Sequence, residues 1–478
     1  MPTVPRTVLI VGGGIAGLSA AYGLAESAAS LESPTQCTLV EAEPRLGGKI
    51  LTEQVGGFVI EGGPDSFLSQ KPWGLELCRR LGLADRVMGT NQDRRKTYVY
   101  SRGRLEELPE GLALGVPTKL APFLKSGLLS WKGKLRLGAE LLIPRRRERG
   151  DESLGAFFRR RLGDEALERL IEPLMTGIYA GDADSLSIQA TFPRFPEMER
   201  QAGSIVRALL GSWRRQQGEG PGGSTFVTLQ GGLSEMVQAL TARLGRLRVL
   251  TGRRVRAVRV SGAPSGYEVA IEGEASLAVD ALILATPAYD AATLLEPFDG
   301  ELAALLRGIP YASTATISLG FRRQDFSNRL DGYGFVVPRV EGRALLAMTW
   351  TSSKWSHRAP DDAVLLRAYV GGAGRDAVLA QSDDGLVGLV RAELRGMMGV
   401  TEAPVLARVC RWPRAMPQYL VGHLERLAAI DERLVRWPGL FLTGAGYRGV
   451  GIPDCIRDGM DTAERVRAYF DKGASRTV

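Results

Sequence analysis

The stretch Thr7–Gly17, TVLIVGGGIAG, decides the fold. Its four apolar residues Val8–Val11 predict a buried parallel strand, which leads directly into Gly12, Gly14 and Gly17 in G-x-G-x-x-G spacing. The first glycine permits the sharp turn out of the strand, the second lets a pyrophosphate approach the backbone, and the third lets the following helix lie against the sheet. We therefore expect a dinucleotide site at this turn. The residues of this predicted contact are Gly12, Gly13, Gly14, Ile15, Ala16 and Gly17.

An acidic residue follows the glycine turn at the position that this type of site requires. The sequence predicts a helix over Leu18–Ser27 and a second strand over Cys37–Glu41. Glu41 comes 24 residues after Gly17, close to the usual spacing of ~20. A carboxylate at the tip of the second strand binds a ribose diol, which predicts an adenosine without a 2′-phosphate.

Composition and charge narrow the class of protein. A length of 478 residues, with 44% hydrophobic and 24% charged residues, predicts a globular chain of about three domains. The formal charge of +8 leaves open an anionic membrane surface, an acidic substrate, or basic residues scattered over a solvated surface. No nucleic-acid-binding motif is present, so we expect no nucleic-acid partner.

Cysteine and histidine are too sparse to support metal or triad chemistry. The four cysteines lie far apart without a C-x-x-C pair, which argues against a disulfide framework and against zinc. Only two histidines occur, so we predict no metal site and no Ser-His-Asp triad. The chemistry must come from a bound cofactor.

The N-terminus and the hydropathy pattern predict where the protein is found. The only apolar run near the N-terminus is the first strand, so we expect no signal peptide. No uninterrupted apolar span approaches the ~20 residues that cross a bilayer. We therefore expect a cytoplasmic protein, with any membrane contact made from one side.

Two further glycine clusters indicate which dinucleotide is bound. They are RLGGK at Arg45–Lys49 and EGGPDS at Glu61–Ser66. A long flavin dinucleotide must be approached by the backbone at several points, whereas a nicotinamide cofactor has no need of these clusters. Arg45 and Lys49 are placed to meet phosphate charge. The predicted cofactor is FAD.

Longer motifs make a family recognisable. The pattern E-x-x-x-R-L-G-G-K from Glu41, followed by EGGPDSF from Glu61, resembles the flavin-dependent amine oxidase superfamily. Four later motifs are similar to those of the oxygen-using bacterial protoporphyrinogen oxidases. They are GIYAGDADSLS at Gly177–Ser187, TFPRFPEMER at Thr191–Arg200, RWPRAMPQYLVGHLER at Arg411–Arg426 and GVGIPDCIRDG at Gly449–Gly459. The resemblance extends from Val8 to about Tyr469, and it includes the branch that oxidises coproporphyrinogen III as well as, or instead of, protoporphyrinogen IX.

The resemblance implies an α/β plus α+β fold with three parts. A Rossmann-type FAD-binding domain is expected from the discontinuous segments 1–71, 225–287 and 437–478. A substrate-binding sheet domain is expected from 72–100 and 288–436, with strands over Thr314–Phe321, Gly334–Pro338, Leu345–Thr351 and Leu365–Val370. A helical insert is expected over 101–217, followed by a linker over 218–224.

The resemblance also implies the residues that hold FAD. Thr286 follows a predicted buried strand at Ala281–Ala285, and ligands of parallel sheets lie beyond the carboxyl ends of the strands. Val255 is expected on the adenine side and Trp412 against the flavin. Besides the first turn, the implied FAD contacts are Glu41, Ala42, Arg45, Gly48, Lys49, Gly62, Gly63, Pro64, Asp65, Val255, Thr286, Trp412, Gly444, Val450, Gly451 and Ile452.

The implied reaction is oxidation of a porphyrinogen in haem biosynthesis. Six electrons leave in three hydride transfers to N5 of FAD, and molecular oxygen becomes hydrogen peroxide. No side chain is assigned as a catalytic acid or base. Relatives of the mitochondrial type place a propionate-binding arginine where this chain has Thr97, so Lys96 or Arg95 is the candidate replacement. The implied substrate contacts are Lys96, Thr97, Gly177, Tyr179, Met348 and Trp350, with the backbone at Gly177 as a pyrrole acceptor.

Alternatives remain open at this point. The chain could be another flavin oxidase, acting on amines or carotenoids, or a flavoprotein that binds haem-pathway intermediates without turnover. The sequence leaves coproporphyrinogen III and protoporphyrinogen IX undistinguished, and a transient contact with the next haem-pathway enzyme is a further hypothesis. Over Leu112–Ile143, apolar residues and a tryptophan alternate with lysines. This pattern fits peripheral membrane contact, which the resemblance favours, and equally fits helices packed on their own core.

Overall fold

A computed structural model describes residues 6–28, 35–113, 116–117, 120–148, 150–216, 224–245, 247–261, 266–326 and 330–474. The predicted linker over 218–224 lies outside the described residues except for Ser224. The described strands are β1 (Arg6–Val11), β2 (Thr35–Val40), β3 (Thr52–Val55), β4 (Phe58–Glu61), β5 (Phe67–Leu68), β6 (Val87–Gly89), β7 (Lys96–Ser101), β8 (Arg104–Glu107), β9 (Leu112–Ala113), β10 (Val116–Pro117), β11 (Phe226–Leu229), β12 (Arg248–Leu250), β13 (Val255–Val260), β14 (Tyr267–Ile271), β15 (Leu277–Val279), β16 (Ala281–Leu284), β17 (Tyr311–Arg322), β18 (Gly332–Val336), β19 (Leu345–Thr349), β20 (Ala363–Gly371), β21 (Leu406–Pro417) and β22 (Leu440–Leu442).

The α-helices are distributed along the whole described part of the chain. The described α-helices are α1 (Ile15–Ala28), α2 (Pro72–Arg80), α3 (Leu120–Lys125), α4 (Trp131–Gly138), α5 (Leu154–Leu162), α6 (Asp164–Ala166), α7 (Glu172–Tyr179), α8 (Ile188–Thr191), α9 (Arg194–Ala202), α10 (Ile205–Gln216), α11 (Ser234–Arg243), α12 (Ala288–Leu295), α13 (Gly300–Arg307), α14 (Thr351–Lys354), α15 (Asp383–Met398), α16 (His423–Leu434) and α17 (Ile452–Ala474). A short π-helical segment, Leu167–Ile171, joins α6 to α7.

The predicted first strand lies at the centre of a parallel sheet. The strand order is β12-β2-β1-β16-β22, and every pairing is parallel. Leu9 and Ile10 are fully buried, as expected of a strand with helices or strands on both faces. The strands come from the beginning, the middle and the end of the chain, so the expected discontinuous Rossmann-type fold is confirmed.

The last helix covers the first one on this sheet. A Cβ added at Gly23 on α1 would lie 2.9 Å from the Cβ of Ala463 on α17. A Cβ added at Gly459 would lie 2.3 Å from the carbonyl oxygen of Ala16. Small residues therefore let the two helices touch, and this contact brings the C-terminal part of the chain to the glycine turn.

A second sheet of seven strands lies apart from the first. Its order is β21-β17-β20-β19-β18-β7-β8, with antiparallel pairs except for the parallel pair of β18 and β7. The predicted strands of this region are confirmed as β17 to β20. Helix α15 buries Leu386, Val390 and Leu394 in the core of this sheet. Strands β7, β8 and β21, three of its seven strands, were not predicted from the sequence.

The structure divides the chain differently from the predicted boundaries. Residues 72–89 were expected in the substrate domain, but Leu77 and Cys78 of α2 are buried in the same core as Leu18 of α1. Strand β6 likewise pairs with β11 beside that core. Residues 101–107 were expected in the insert, but β8 pairs with β7 in the seven-stranded sheet. The apolar side chains of α2 find their core partners far away in the sequence, whereas β8 belongs to the sheet because it forms a hairpin with β7.

The helical part divides its apolar residues between a core and the solvent. Phe123, Leu128, Leu129 and Leu137 are buried in its core, as the core-packing hypothesis requires. Leu124, Trp131 and Leu135 are exposed instead. Core packing therefore accounts for the buried set, and the exposed set has no packing partner among the described residues of this core.

A buried ion network holds the helical part together. Arg161 on α5 is fully buried and donates to the Glu140 carboxylate and to the carbonyl oxygens of Ile143 (3.0 Å) and Gly203 (3.1 Å). Glu140 is also fully buried and accepts from Ser204 and from the backbone N–H of Ile205 at 2.9 Å. Because both charges are removed from water, each depends on the other.

We expect Arg161→Met to lower the free energy of unfolding by about 3 kcal/mol, because it leaves the Glu140 carboxylate buried without a cation. Urea titration followed by tryptophan fluorescence measures the change. Arg159→Ala on the same helix is the matched control, because its exposed ion pairs with Asp164 and Asp184 contribute about 1 kcal/mol or less. Equal losses in the two variants would contradict the prediction.

Candidate active site

The glycine turn has the geometry that its spacing predicts. Gly12 has φ of 108°, and a Cβ there would lie 2.7 Å from the carbonyl oxygen of Ala285. A Cβ at Gly17 would lie 2.0 Å from the carbonyl oxygen of Gly12, so only glycine allows α1 to start this close to the strand. A Cβ at Gly14 would meet nothing within 4 Å. The turn is thus closed at its first and third glycines and open over the second.

Glu41 lies beside this turn. Its Oε2 accepts from the backbone N–H of Gly13 at 2.6 Å, and its Oε1 accepts from the N–H of Glu43 at 2.8 Å. The carbonyl oxygen of Glu41 accepts from the N–H of Arg253 at 3.0 Å, which brings the start of β13, at Val255, close to the same edge. Ala42 is exposed next to the carboxylate. This edge fits the ribose and adenine end of a dinucleotide.

The second glycine cluster packs on the first. The N–H of Gly47 donates to the carbonyl oxygen of Gly13 at 2.8 Å, and a Cβ at Gly48 would lie 3.1 Å from the Cα of Gly14. Both cations that were predicted to meet phosphate, Arg45 and Lys49, lie on this loop, but their hydrogen bonding differs. Arg45 donates to the carbonyl oxygens of its own loop, at Ile50 (3.1 Å) and at Gly48 (2.6 Å), so its guanidinium holds the loop.

Lys49 is the cation that this loop leaves available. It is half-buried, and its ammonium has no hydrogen bond or ion pair with any residue that the structure describes. Burial lowers the pKa of Lys49, because water no longer solvates the charged form. A half-buried cation without a carboxylate fits the negatively charged groups of a cofactor.

The third glycine cluster is fixed by the seven-stranded sheet. The carbonyl oxygen of Gly62 accepts from the indole N–H of Trp412 at 2.8 Å and from the hydroxyl of Thr316 at 2.8 Å. A Cβ at Gly63 would lie 1.8 Å from the carbonyl oxygen of Lys49, so this cluster touches the second one. The buried Arg367 donates to the carbonyl oxygen of Gly63. Trp412 was expected to lie against the flavin, and the structure shows what holds its indole at the loop.

Asp65 ends this cluster as an anchor. After Pro64, its carboxylate lies 2.9 Å from the ammonium of Lys354 and accepts from the indole N–H of Trp355 at 3.2 Å. Burial alone would raise the pKa of Asp65, but the charges of Lys354 and Arg367 outweigh it and hold that pKa well below the usual range. The ionised carboxylate therefore ties the loop to the sheet.

A C-terminal loop closes the site. The N–H of Gly444, with φ of 122°, donates to Asp458 on α17 at 2.8 Å. The hydroxyl of Tyr419 donates to the carbonyl oxygen of Ala445 at 2.6 Å and accepts from the N–H of Gly449 at 2.8 Å. The loop then leads through Val450 and Gly451 into α17 at Ile452. Tyr419 was not predicted as a site residue, although it lies in the family motif at Arg411–Arg426.

These contacts test whether a flavin dinucleotide fits. The clusters form one continuous surface, because Gly48 lies on Gly14, Gly63 lies on Lys49, and a Cβ at Gly444 would lie 3.9 Å from that of Ala16. On the same surface, the buried hydroxyl oxygen of Thr286 has no hydrogen-bond partner. The open turn, the free ammonium and the unpaired hydroxyl are what a long phosphate-bearing cofactor requires. The predicted residues therefore fit FAD.

Gly177 and Tyr179 lie next to this cradle on helix α7. The Tyr179 ring is buried, with its centroid 5.8 Å from that of Tyr419. Burial raises the pKa of Tyr179, so the phenol keeps its proton. The carbonyl oxygen of Tyr179 accepts from Gln418 at 2.8 Å. Gly177 is exposed to a pocket between α7 and the seven-stranded sheet.

The other predicted substrate contacts are not brought to that pocket. Met348 and Trp350 are buried in the core between the seven-stranded sheet and α15. Thr97 lies in β7, where its carbonyl oxygen accepts from the N–H of Leu108. The ammonium of Lys96 lies 3.1 Å from Asp331 and 3.2 Å from Glu107, and these two carboxylates raise its pKa. Lys96 is thus already ion-paired at the exposed start of β7.

Comparisons with known proteins show the family to which the chain belongs. The family model described as flavin containing amine oxidoreductase matches residues 15–467. The chain is 39% identical over 473 residues to the coproporphyrinogen III oxidase of Bacillus subtilis strain 168, covering 97% of this chain and 98% of that protein. It is 31% identical over 497 residues to the chloroplastic protoporphyrinogen oxidase 1 of Arabidopsis thaliana, covering 99% and 90% respectively. A crystal structure from Exiguobacterium sp. 255-15, provisionally named protoporphyrinogen oxidase, superposes with a TM-score of 0.86 at 34% identity, over 97% of this chain and 99% of that one.

We expect Gly14→Ala to fold but to lose most of its bound flavin, because the added Cβ meets no protein atom and occupies the open space over the turn. Flavin absorbance of the purified protein, per mole of chain, measures the loss. Gly138→Ala in helix α4 is the matched control, since a Cβ there also meets nothing within 4 Å. A Gly14→Ala protein that stays fully yellow would contradict the assignment of this turn.

Proposed function

The chain belongs to the flavin-containing amine oxidoreductase family, and from that premise we propose that it is the FAD-dependent enzyme that oxidises a porphyrinogen to the porphyrin in haem biosynthesis. The observation that carries this is the extent of the match to the Bacillus subtilis enzyme, 97% of this chain and 98% of that protein. The match therefore includes the cofactor cradle, the seven-stranded sheet and the helical part together. The cofactor is FAD, and the enzyme is an oxidoreductase.

The residues of the cradle bind and orient, and bound FAD supplies a hydride acceptor. Glu41 holds the adenosine end, Lys49 offers positive charge, and Tyr419 fixes both ends of the loop over Ala445–Gly449. Burial raises the pKa of Tyr419 well above its usual value, so this phenol also stays protonated. The two phenols, of Tyr179 and Tyr419, can therefore donate hydrogen bonds and line the site, but they do not act as bases.

His423 is the histidine nearest to this site, and it lies behind the Tyr419 ring. Its ring stacks on Tyr419 with centroids 4.1 Å apart, and its Nε2 lies 2.9 Å from the carbonyl oxygen of Tyr447. Burial lowers the pKa of His423, which keeps the ring neutral. The ring supports Tyr419. This arrangement agrees with a reaction whose acceptor is the cofactor and which needs no strong protein base.

We expect coproporphyrinogen III or protoporphyrinogen IX to bleach the flavin when mixed with the yellow protein in the absence of oxygen. Readmitted oxygen should restore the colour and release hydrogen peroxide. A primary amine and phytoene, tested in the same way, control for the other activities of the superfamily. Bleaching by one of these controls and by neither porphyrinogen would overturn the proposal, and release of porphyrin without peroxide would overturn the oxygen step alone.

We further propose that the helical part contacts an anionic membrane surface. Among the described residues, no helix has the length and apolar content to cross a bilayer. Trp131 and Leu135 stand one turn apart on α4, with 68% and 74% of their surface exposed. The ammonium of Lys134 lies 4.7 Å from the centre of the Trp131 ring. Exposed Arg145 and Arg147 follow, and apolar residues beside cations suit a lipid headgroup layer.

We expect the double variant Trp131→Ser, Leu135→Ser to lose at least about half of its sedimentation with vesicles of phosphatidylglycerol, because it removes the exposed apolar surface. Neutral phosphatidylcholine vesicles should bind the unaltered protein less, since they lack the negative charge. Val435→Ser is the control, as Val435 is 80% exposed on another part of the molecule. Unchanged sedimentation of the double variant would remove this surface from the proposal.

A further inference from the structure

The pocket that Gly177 lines is enclosed by two parts of the molecule. Helix α7 and the residues after it supply Gly177 and Gly181 on one side. The seven-stranded sheet supplies the apolar side chains Val337 and Leu346 on the other. Arg339 and Arg375 line the same pocket. Glu172 lines it as well, so one carboxylate and two guanidinium groups stand beside the apolar side chains at its wall.

Tight backbone contacts fix the shape of this pocket. The N–H of Ala373 donates to the carbonyl oxygen of Ala180 at 2.8 Å, which joins the sheet to the end of α7. A Cβ at Gly372, whose φ is 93°, would lie 2.8 Å from that same oxygen. Ala180 itself has φ of 48°, an uncommon backbone conformation for a residue with a side chain. Such strain persists where surrounding contacts determine the backbone, as these do.

The two guanidinium groups at the pocket differ in their pairing. Arg339 forms an ion pair with Glu172, in which its Nε lies 3.3 Å from Oε1. Its guanidinium also donates to the carbonyl oxygen of Ala373 at 2.9 Å. Arg375 is half-buried, and its guanidinium donates no hydrogen bond to any residue in the described part of the chain. Burial, with Arg339 nearby, lowers the pKa of Arg375, while burial raises the pKa of Glu172, an effect that Asp182 reinforces. One carboxylate thus faces two guanidinium groups, and a place for a second carboxylate remains.

We propose that Arg375, supported by Arg339, binds a carboxylate of the substrate in this pocket. A guanidinium presents paired N–H donors that match the two oxygens of a carboxylate. With a volume of about 30 Å³, the pocket holds the carboxylate end of the molecule, and the macrocycle lies outside it. This inference rests on the proposed function, and it assigns the carboxylate contact to Arg375 instead of Lys96, which Asp331 and Glu107 already neutralise.

The two candidate substrates differ in the groups that this site would recognise. Coproporphyrinogen III carries four propionate side chains, and protoporphyrinogen IX carries two, with vinyl groups at the other two positions. If Arg375 binds a propionate that both molecules share, its loss weakens both. If it binds a propionate that only coproporphyrinogen III has, its loss weakens that substrate alone and Arg375 determines specificity.

We expect Arg375→Gln to raise the KM for coproporphyrinogen III about tenfold, with kcat changed less than about twofold, because a charge-assisted contact is lost from binding. Arg375→Lys should recover part of the loss, since it restores the charge without the paired donors. Lys96→Ala is the matched control and should leave KM unchanged. Equal KM values for Arg375→Gln and the unaltered enzyme, with both porphyrinogens, would overturn the inference.

A binding measurement separates this inference from the proposed function. The holoenzyme is titrated with coproporphyrin III and with its tetramethyl ester, and the quenching of porphyrin fluorescence gives Kd. We expect Arg375→Gln to raise Kd about tenfold for the free acid and to leave Kd for the ester unchanged. An unaltered protein that binds the acid through Arg375 but oxidises neither porphyrinogen would refute the proposed function and support this site. An equal Kd in both proteins would refute this site while turnover still supports the proposed function.

Discussion

The packing of the last helix against the first is the contact on which the cofactor cradle depends. Gly459 and Gly23 let α17 touch α1, and Asp458 on α17 accepts from the Gly444 N–H and the Thr443 hydroxyl. The helix therefore places the C-terminal loop over the glycine turn at the other end of the chain. Without this contact, the parallel sheet would keep its central strand, but the C-terminal loop would be held only by Tyr419 and by the pairing of β22.

The site is formed mainly by backbone groups, and this explains why glycine is so frequent in it. Glycine clusters at three places let main-chain groups approach a long cofactor, and side chains such as Trp412 and Asp65 hold those clusters in place. Burial keeps two phenols and one imidazole beside the cradle in a single protonation state. Tyr179 and Tyr419 stay protonated, and His423 stays neutral. A cofactor that accepts hydride makes this sufficient, so the scarcity of histidine is consistent with oxidation chemistry.

The ion pairs of three cations distinguish the candidate for binding a substrate carboxylate from the others. Lys96, Arg339 and Arg375 are all basic residues, but in the described part of the chain only the Arg375 guanidinium among these three makes no hydrogen bond or ion pair. Its environment is made by the end of β20 and by helix α7, which belong to different parts of the molecule. A binding site at this junction connects the seven-stranded sheet and the helical part to the cradle through Tyr179 and Tyr419.

The sequence by itself determined the class of fold, the cofactor and the family, because these depend on local patterns. A buried strand, three spaced glycines and an acid after the second strand specify a dinucleotide turn without reference to the rest of the chain. Most strands of the second sheet were also predictable, since they are apolar runs. Only the tertiary structure decided that α2 packs with the first domain, that Arg45 holds its own loop while Lys49 remains free, and that Lys96 is neutralised while Arg375 is not. For the ion pairs the physical reason is distance along the chain, because Lys96 meets Asp331 and Arg339 meets Glu172 across more than a hundred residues, and no local pattern records such a pairing. For Arg45 the reason is the path of its own loop, which turns the carbonyl oxygens of Gly48 and Ile50 towards the guanidinium.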